Sequence, residues 1–420
     1  MLPRKLAIFL YFLAGMPLFS YAQVNPAIFA GYDTTRRVIT TAVPFLVIAP
    51  DARSGAMGDA GVASTPDAAS AHWNPGKYPF IKNDYGFSLS YTPWLGKIID
   101  DMSISHASGY YKINRERTVG MSLTYFDLGK ITFTDPQGNI IGDFNPREFA
   151  LDATYAQMLT DAMGLGVSLR YINSNLTGHA WNSTNAAQTG RSVAADIGWY
   201  YNKDFVFSGN NSNVALGAAI TNIGNKMTYS DSKNLQFIPT NMRIGGSFTS
   251  NLDPYNKLTL MVDLNKLMVP TPPIYKFDKN GEILYDNNGN PVISRGKNPN
   301  RSLLSGIFGS FADAPDGFKE EIQEVTVGTG LEYWYNDLFA ARGGYFLENA
   351  NKGNRKYFTL GLGLRYHVFG IDLAYLIPQI HNNPLAETLR FTLVMNFDTY
   401  KQQESIIQDE NKDKEKEQLP

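Results

Sequence analysis

The chain has 420 residues, a net charge of −2, no cysteine, and 37 glycines, 24 tyrosines and 25 phenylalanines against only 18% charged residues. The near-neutral balance excludes the broad basic field of a nucleic-acid binder, and the lack of cysteine excludes both a disulfide framework and a thiol for lipid attachment. Glycine and aromatic enrichment without long apolar runs suits many short β-strands.

The first element is a leader. Arg4 and Lys5 precede an apolar run from Leu6 to Phe19, and Ser20-Tyr21-Ala22 supplies the small-x-small pattern ahead of Gln23, so residues 1–22 are expected to be a signal peptide and the chain to be exported. No later stretch reaches about 18 consecutive apolar residues, which excludes a helical membrane protein. Residues 23–84 follow as a segment of small, mixed composition. Within it Gly55, Gly58 and Gly61 recur at a spacing of three ahead of Trp73-Asn74-Pro75-Gly76. No strand of a βαβ unit leads into these glycines, so they are not read as a phosphate-cradling loop.

From residue 85 to 397 the chain alternates with period two. Phe358, Leu360, Leu362, Leu364 and Tyr366 fall on one face, Thr359, Gly361, Gly363, Arg365 and His367 on the other. The same pattern recurs in Leu389 to Phe397 and in Met163 to Tyr171. Counting every such segment gives fourteen, each near the 9 to 11 residues that cross a bilayer at a tilt. Their connections alternate between short and long. Asp161-Ala162 and Asn336-Asp337 are tight, whereas Leu128 to Pro146, Ser174 to Gly190, Gly224 to Pro239 and Met268 to Gln323 are long. A sandwich has no reason for that parity. An outer-membrane barrel has one, with short periplasmic turns and long outer loops. The expected fold is therefore all-β, a fourteen-stranded antiparallel transmembrane barrel with no open edge. Trp94, Tyr111, Trp199, Trp334 and Tyr335, near strand ends, are expected in the interfacial girdles.

By the same parity both termini are expected in the periplasm. Residues 398–420 end the chain as a charged tail, expected to be solvated and disordered. A barrel of fourteen strands leaves a lumen to fill, and the small residues of 23–84 are placed there as a compact plug or a gate that moves. The outer loop 268–323 is far longer than ordinary loops and is expected to be functional. It carries Ile274 and Tyr275, then Leu303, Leu304, Ile307, Phe308 and Phe311 at helical spacing. Apolar side chains outside the membrane mark a partner site or a lid folded over the barrel mouth.

Little in the chain suggests chemistry. His72, His106, His179, His367 and His381 are scattered without ligand spacing. Asp278-Lys279-Asn280-Gly281 and Asp286-Asn287-Asn288-Gly289 lack the terminal Glu of a calcium loop and are read as hairpin turns. No nucleophile, base or carboxylate pair is singled out. The expectation is a non-enzyme without catalytic residues, cofactor or metal.

Gly58-Asp59-Ala60, Asp67-Ala68-Ala69-Ser70-Ala71 and Trp73-Asn74-Pro75 resemble the N-terminal hatch of FadL-type (OmpP1/TodX-like) outer-membrane transporters, with Gly76 where that family has alanine. Three other stretches are similar to one branch, the PorV (LptO) family of the type IX secretion system. They are Pro50 to Asp59, Thr134-Asp135-Pro136-Gln137-Gly138, and Phe311 to Glu321. The first resemblance implies a plug containing Gly58, Asp59, Ala60, Trp73, Asn74 and Pro75. The second implies a shuttle that receives cargo bearing a C-terminal signal domain from the SprA/Sov-type translocon. The cargo is then carried to an attachment complex of a PorU-type sortase with PorQ and PorZ, which links it to lipopolysaccharide. On that reading the outer-loop residues Trp94, Leu95, Ile98, Phe237, Ile238, Ile274, Tyr275, Ile307, Phe308 and Phe311 are expected to meet cargo or translocon. The alternative is a FadL-like transporter of hydrophobic small molecules.

Overall fold

The computed structural model describes residues 37–96, 99–135, 137–176, 188–230, 235–278, 282–379 and 388–398. The expected signal peptide, the first part of the 23–84 segment, the tail beyond Asp398, and Ile98, His179 and His381 lie outside the described residues.

The strands in chain order are β1 (Tyr85–Pro93), β2 (Ser103–Lys112), β3 (Arg117–Asp127), β4 (Ile131–Thr134), β5 (Ile140–Phe144), β6 (Arg147–Thr160), β7 (Met163–Asn175), β8 (Gly190–Phe207) and β9 (Asn210–Gly224). They continue as β10 (Asn241–Asn251), β11 (Asn256–Leu267), β12 (Ile274–Tyr275), β13 (Ile293–Arg295), β14 (Val325–Tyr335), β15 (Phe339–Leu347), β16 (Lys356–Tyr366), β17 (Phe369–Pro378) and β18 (Leu389–Phe397). Fourteen of them form one closed antiparallel barrel, and β4–β5 and β12–β13 are two small hairpins in the long connections. Closure runs through β1 and β18, with Tyr85 opposite Phe397 and Leu89 opposite Leu393. The expected strands are therefore all present; the β4–β5 hairpin was not anticipated, whereas the β12–β13 hairpin closes at the turn read at 286–289.

Alternation sets which side chains meet lipid. In β1 Phe87, Leu89 and Tyr91 point outward while Gly86, Ser88, Ser90 and Thr92 are buried inside. The inner wall is held by hydroxyl pairs such as Ser88–Ser108 at 2.8 Å and Thr154–Ser168 at 2.7 Å. It also carries buried ion pairs, with Arg170 on Asp152 (2.5 Å) and Asp196 (3.0 Å). Such pairing offsets much of the cost of burying these charges, and the outer face supplies the apolar area. Two girdle expectations are corrected. Trp94 is half-buried against the inner cluster around Phe45. Trp334 turns inward and stacks under the guanidinium groups of Arg342 and Arg365, because its even-numbered register shares the inner face with Glu332. Tyr111 and Tyr335 are exposed outward, as a girdle requires.

The two ends differ. One carries connections of two residues (161–162, 208–209) to four (113–116); the other carries the long ones, up to 268–324. Asn336 and Asp337 both take left-handed φ (54° and 51°), the geometry of tight hairpins. Arg37 hydrogen-bonds to Asn351 and Ala42 to Phe237, both in long connections. From Arg37 at the long-loop end the chain descends through the lumen to Tyr85. The reason is packing: Phe45 and Leu46, on a 3-10 turn at Pro44–Val47, bury themselves among Ile104, Phe126, Ile172 and Ile238 near the upper strand ends.

Candidate functional site

The luminal segment is built from two single-turn helices, α1 (Ala52–Gly55) and α2 (Ser70–Trp73), and a 3-10 stretch at Pro75–Phe80. Asp51 caps α1 by accepting from Ser54 N–H at 2.7 Å, and its second oxygen accepts from Trp73 Nε1 at 2.7 Å. One carboxylate thus joins the two helices. Burial pushes its pKa up, against the pull of these hydrogen bonds.

The segment is then fastened to the wall on several sides. Arg53 forks onto Glu332 of β14 (3.0 and 2.9 Å), which also accepts from Arg342 of β15 (2.7 Å). Arg342 continues to Asp372 of β17 at 2.7 Å. Asp59 accepts from Arg390 of β18 (2.9 Å) and from Tyr357 of β16 (2.5 Å). Asp263 of β11 accepts the N–H groups of Gly61 and Val62 at 2.7 and 2.8 Å. Asn74 donates to Trp199 O of β8 at 2.8 Å and to Val62 O at 3.1 Å, and accepts from Gly76 N–H at 3.0 Å. Lys77 is fully buried and donates to Gly61 O and Ser64 Oγ, with burial pulling its pKa down to about 8.

Small residues make this approach possible. Gly58 has φ +66°, a conformation costly for other residues, and a Cβ there would fall 2.5 Å from Tyr345 O. Across from it, a Cβ on Gly344 would fall 2.1 Å from Gly58 N. Ala60 and Trp73 are buried as well, and Pro75 lies against Gly166 and Gly198. The six residues Gly58, Asp59, Ala60, Trp73, Asn74 and Pro75 are therefore brought together inside the barrel. At the short-turn end the segment borders a recess of about 980 Å³, lined among others by Asp67, Ala69, Asn202, Trp334 and Arg365. His72 and His106, far apart in sequence, meet edge to face with ring centroids 6.2 Å apart. Burial, then Arg243, holds the His72 pKa well below its ordinary value.

At the long-loop end the loop residues separate into two sets. Phe237, Ile238 and Ile307 are buried. Trp94 and Leu95 are half-buried against the cluster around Phe45, and Ile274 and Tyr275 are half-buried on β12. These three side chains pack within the protein itself in this structure, Ile238 in the cluster around Phe45. Phe237 is pressed beneath Gly306 of α3 (Leu303–Gly309), whose Cβ, if present, would lie 2.4 Å from its ring.

The opposite face of α3 is open. Phe308 and Phe311 are 71% and 41% exposed, and Leu304, one turn earlier, is 61% exposed. Ile307, about 100° round the helix from Phe308, is buried instead. The next helix, α4 (Phe318–Gln323), repeats the inversion. Phe318 and Ile322 are exposed while Glu320 and Glu321 are buried. Sequence reasoning missed Phe318 and Ile322, since Lys319-Glu320-Glu321 between them reads as a solvated charged turn. Their i, i+4 spacing was the available signal.

A family model described as Type IX secretion system protein PorV matches residues 32–274. No curated protein sequence matches the chain. Among solved structures it is similar to the toluene transporter TbuX of Ralstonia pickettii, at 12% identity over 84% of this chain and 99% of that one, with a TM-score of 0.41. A FadL homologue of Pseudomonas aeruginosa gives 12% identity over 86% and 99%, with a TM-score of 0.42. The toluene transporter TodX of Pseudomonas putida gives 11% over 81% and 95%, with a TM-score of 0.39. With the family match covering more than half of its length, this closed fourteen-stranded outer-membrane barrel belongs to the PorV family of the type IX secretion system.

Proposed function

We propose that the protein is a non-enzymatic shuttle subunit of type IX secretion. It binds the C-terminal signal domain of cargo at an SprA/Sov-type translocon and delivers that cargo to the surface attachment complex of a PorU-type sortase with PorQ and PorZ. The long loops face outward, the short turns and the tail face the periplasm, and the luminal segment is a fixed plug rather than a gate.

The observation that carries this reading is the inverted polarity of the outer loop. Leu304, Phe308, Phe311, Phe318 and Ile322 are displayed while Glu320 and Glu321 are buried, an arrangement that is costly in water and favourable against an apolar partner. The fastened lumen supports the same view, because a transporter of hydrophobic molecules needs a path and the segment from Asp51 to Lys77 is bonded to β8, β11, β14, β16 and β18.

The test is recovery of signal-domain cargo and translocon with this protein from detergent-solubilised outer membranes. Replacing Leu304, Phe308 and Phe311 by Ser is expected to leave the barrel folded and to lower that recovery. Normal secretion and attachment of cargo in a deletion strain would overturn the shuttle reading, and altered uptake of hydrophobic compounds in that strain would favour transport.

A further inference from the structure

The outer loop is held from an unexpected direction. Arg37 donates from its backbone N–H to Asn351 O (3.1 Å) in the β15–β16 connection. Its guanidinium donates to both oxygens of Glu320 (2.8 and 2.7 Å) and to Asp316 (2.6 Å), which Arg295 also reaches at 2.8 Å. Glu320 further receives Lys352 at 2.7 Å, and Lys352 bonds Glu324 at 2.8 Å. Glu324 and Glu321 in turn clamp Lys266 at the top of β11, at 2.5 and 2.9 Å. Arg301 lies near Asp313 on the same loop, at 3.7 Å.

Electrostatics make Arg37 the weak link of this cluster. Glu320 and Glu321 on α4 and Glu324 just after it repel one another, and Lys266 and Lys352 are shared among them. Burial raises the Glu320 pKa, but hydrogen bonds from Arg37 and then Lys352 overcome it and bring it down to about 2. Without Arg37 a buried carboxylate loses its bidentate partner, the kind of loss that destabilises most. The bidentate cation among the three that seat α4 is thus supplied by the segment that goes on to bury Phe45 and Leu46.

We propose that residues 37–48 are a strap that approaches from the long-loop side and latches the outer loop through Arg37, so that α4 keeps its apolar face displayed only while Arg37 is seated on Glu320 and Asp316. For its functional consequence the inference rests on the partner-face reading given above; it adds how that face is controlled. A pull on the chain ahead of Arg37 acts directly on the latch. Release of the latch frees α4 without disturbing the luminal fastening, whose ion pairs share no residue with it.

Two measurements test it. Val38 is exposed. A Val38→Cys variant is expected to take an impermeant maleimide from the same side as Gly138→Cys and not from the side of Asp161→Cys; labelling with Asp161→Cys overturns the strap. In intact outer membranes, Arg37→Gln and Glu320→Gln are expected to speed cleavage of loop 268–323 by chymotrypsin about tenfold, with Arg37→Lys intermediate, while heat resistance of the barrel stays as in the wild type. Unchanged cleavage in both variants overturns the latch. If Arg37→Gln does not assemble, Arg37→Lys and Glu320→Gln decide. Faster cleavage with unchanged cargo recovery keeps the latch and removes the partner face, so the two readings fail separately.

Discussion

The luminal segment and the outer loop use the same device to opposite ends. In each, an arginine is carried to buried carboxylates far away in sequence: Arg53 to Glu332 inside the barrel, Arg37 to Glu320 above it. The luminal segment then turns its small residues to the wall and keeps nothing apolar in reserve, with Ala60, Val62 and Ala63 all fully buried. The outer loop spends its charges inward and leaves Phe308 and Phe318 facing out. Buried ion pairs give little net stability but enforce one arrangement. In the lumen that arrangement fixes the segment to the wall; above it, the arrangement leaves apolar side chains exposed.

The sharpest way to break this comparison is at Glu332. Glu332→Ala leaves Arg53 and Arg342 buried without their shared carboxylate and is expected to cost about 3–5 kcal/mol, read as a lowered midpoint in denaturant unfolding of the detergent-solubilised barrel. A midpoint within experimental error of wild type would mean that the luminal segment is not fastened there. Overpacking comes next. Ala60→Phe and Ala63→Phe are each expected to cost about 1–3 kcal/mol, whereas Ala69→Phe should cost less, because Ala69 borders the recess at the short-turn end. Equal losses at all three positions would show that the recess does not relieve crowding.

The outer face should respond in function and not in stability. Truncating a central anchor at a protein interface costs about 2 kcal/mol or more in binding. Ser at Leu304, Phe308 and Phe311 is therefore expected to lower partner recovery, while exposed changes of this kind shift folding by about 0.5 kcal/mol or less. A large loss of heat resistance in this triple variant would make α3 part of the fold rather than a docking face. The smallest effect is one of pH. The Glu320 pKa is lowered on folding, so the stabilisation it gives the latch is present above its unfolded value near 4.5 and is lost as pH falls towards 2. Protection of loop 268–323 from pepsin should weaken across that window, and Glu320→Gln should flatten the dependence.

The barrel was legible in the chain because a strand's period of two is local. Phe358, Leu360 and Leu362 reveal an outward face without reference to any partner strand, and the short turn at Asn336-Asp337 against the long run from 268 reveals two unlike ends. The motif residues from Gly58 to Pro75 were marked by the resemblance to the FadL-type hatch, and the small residues around them suit close approach. Helical spacing picked out Phe308 and Phe311 for the same local reason, but it also picked out Ile307, which the fold buries.

By itself, then, the sequence determined the fold class, the strand count and the two unlike ends of the barrel, all of which follow from periodicity, composition and length. Only the tertiary structure decided which side of α3 faces out, that Trp334 turns inward over Arg342, and that the segment before the first strand descends from the long-loop end. Those outcomes depend on which buried charges find each other across distant positions, Arg37 with Glu320 and Arg53 with Glu332. Pairing of this kind leaves no period in a single chain: an arginine's choice among carboxylates is set by desolvation and geometry in the closed barrel, after every strand has taken its place.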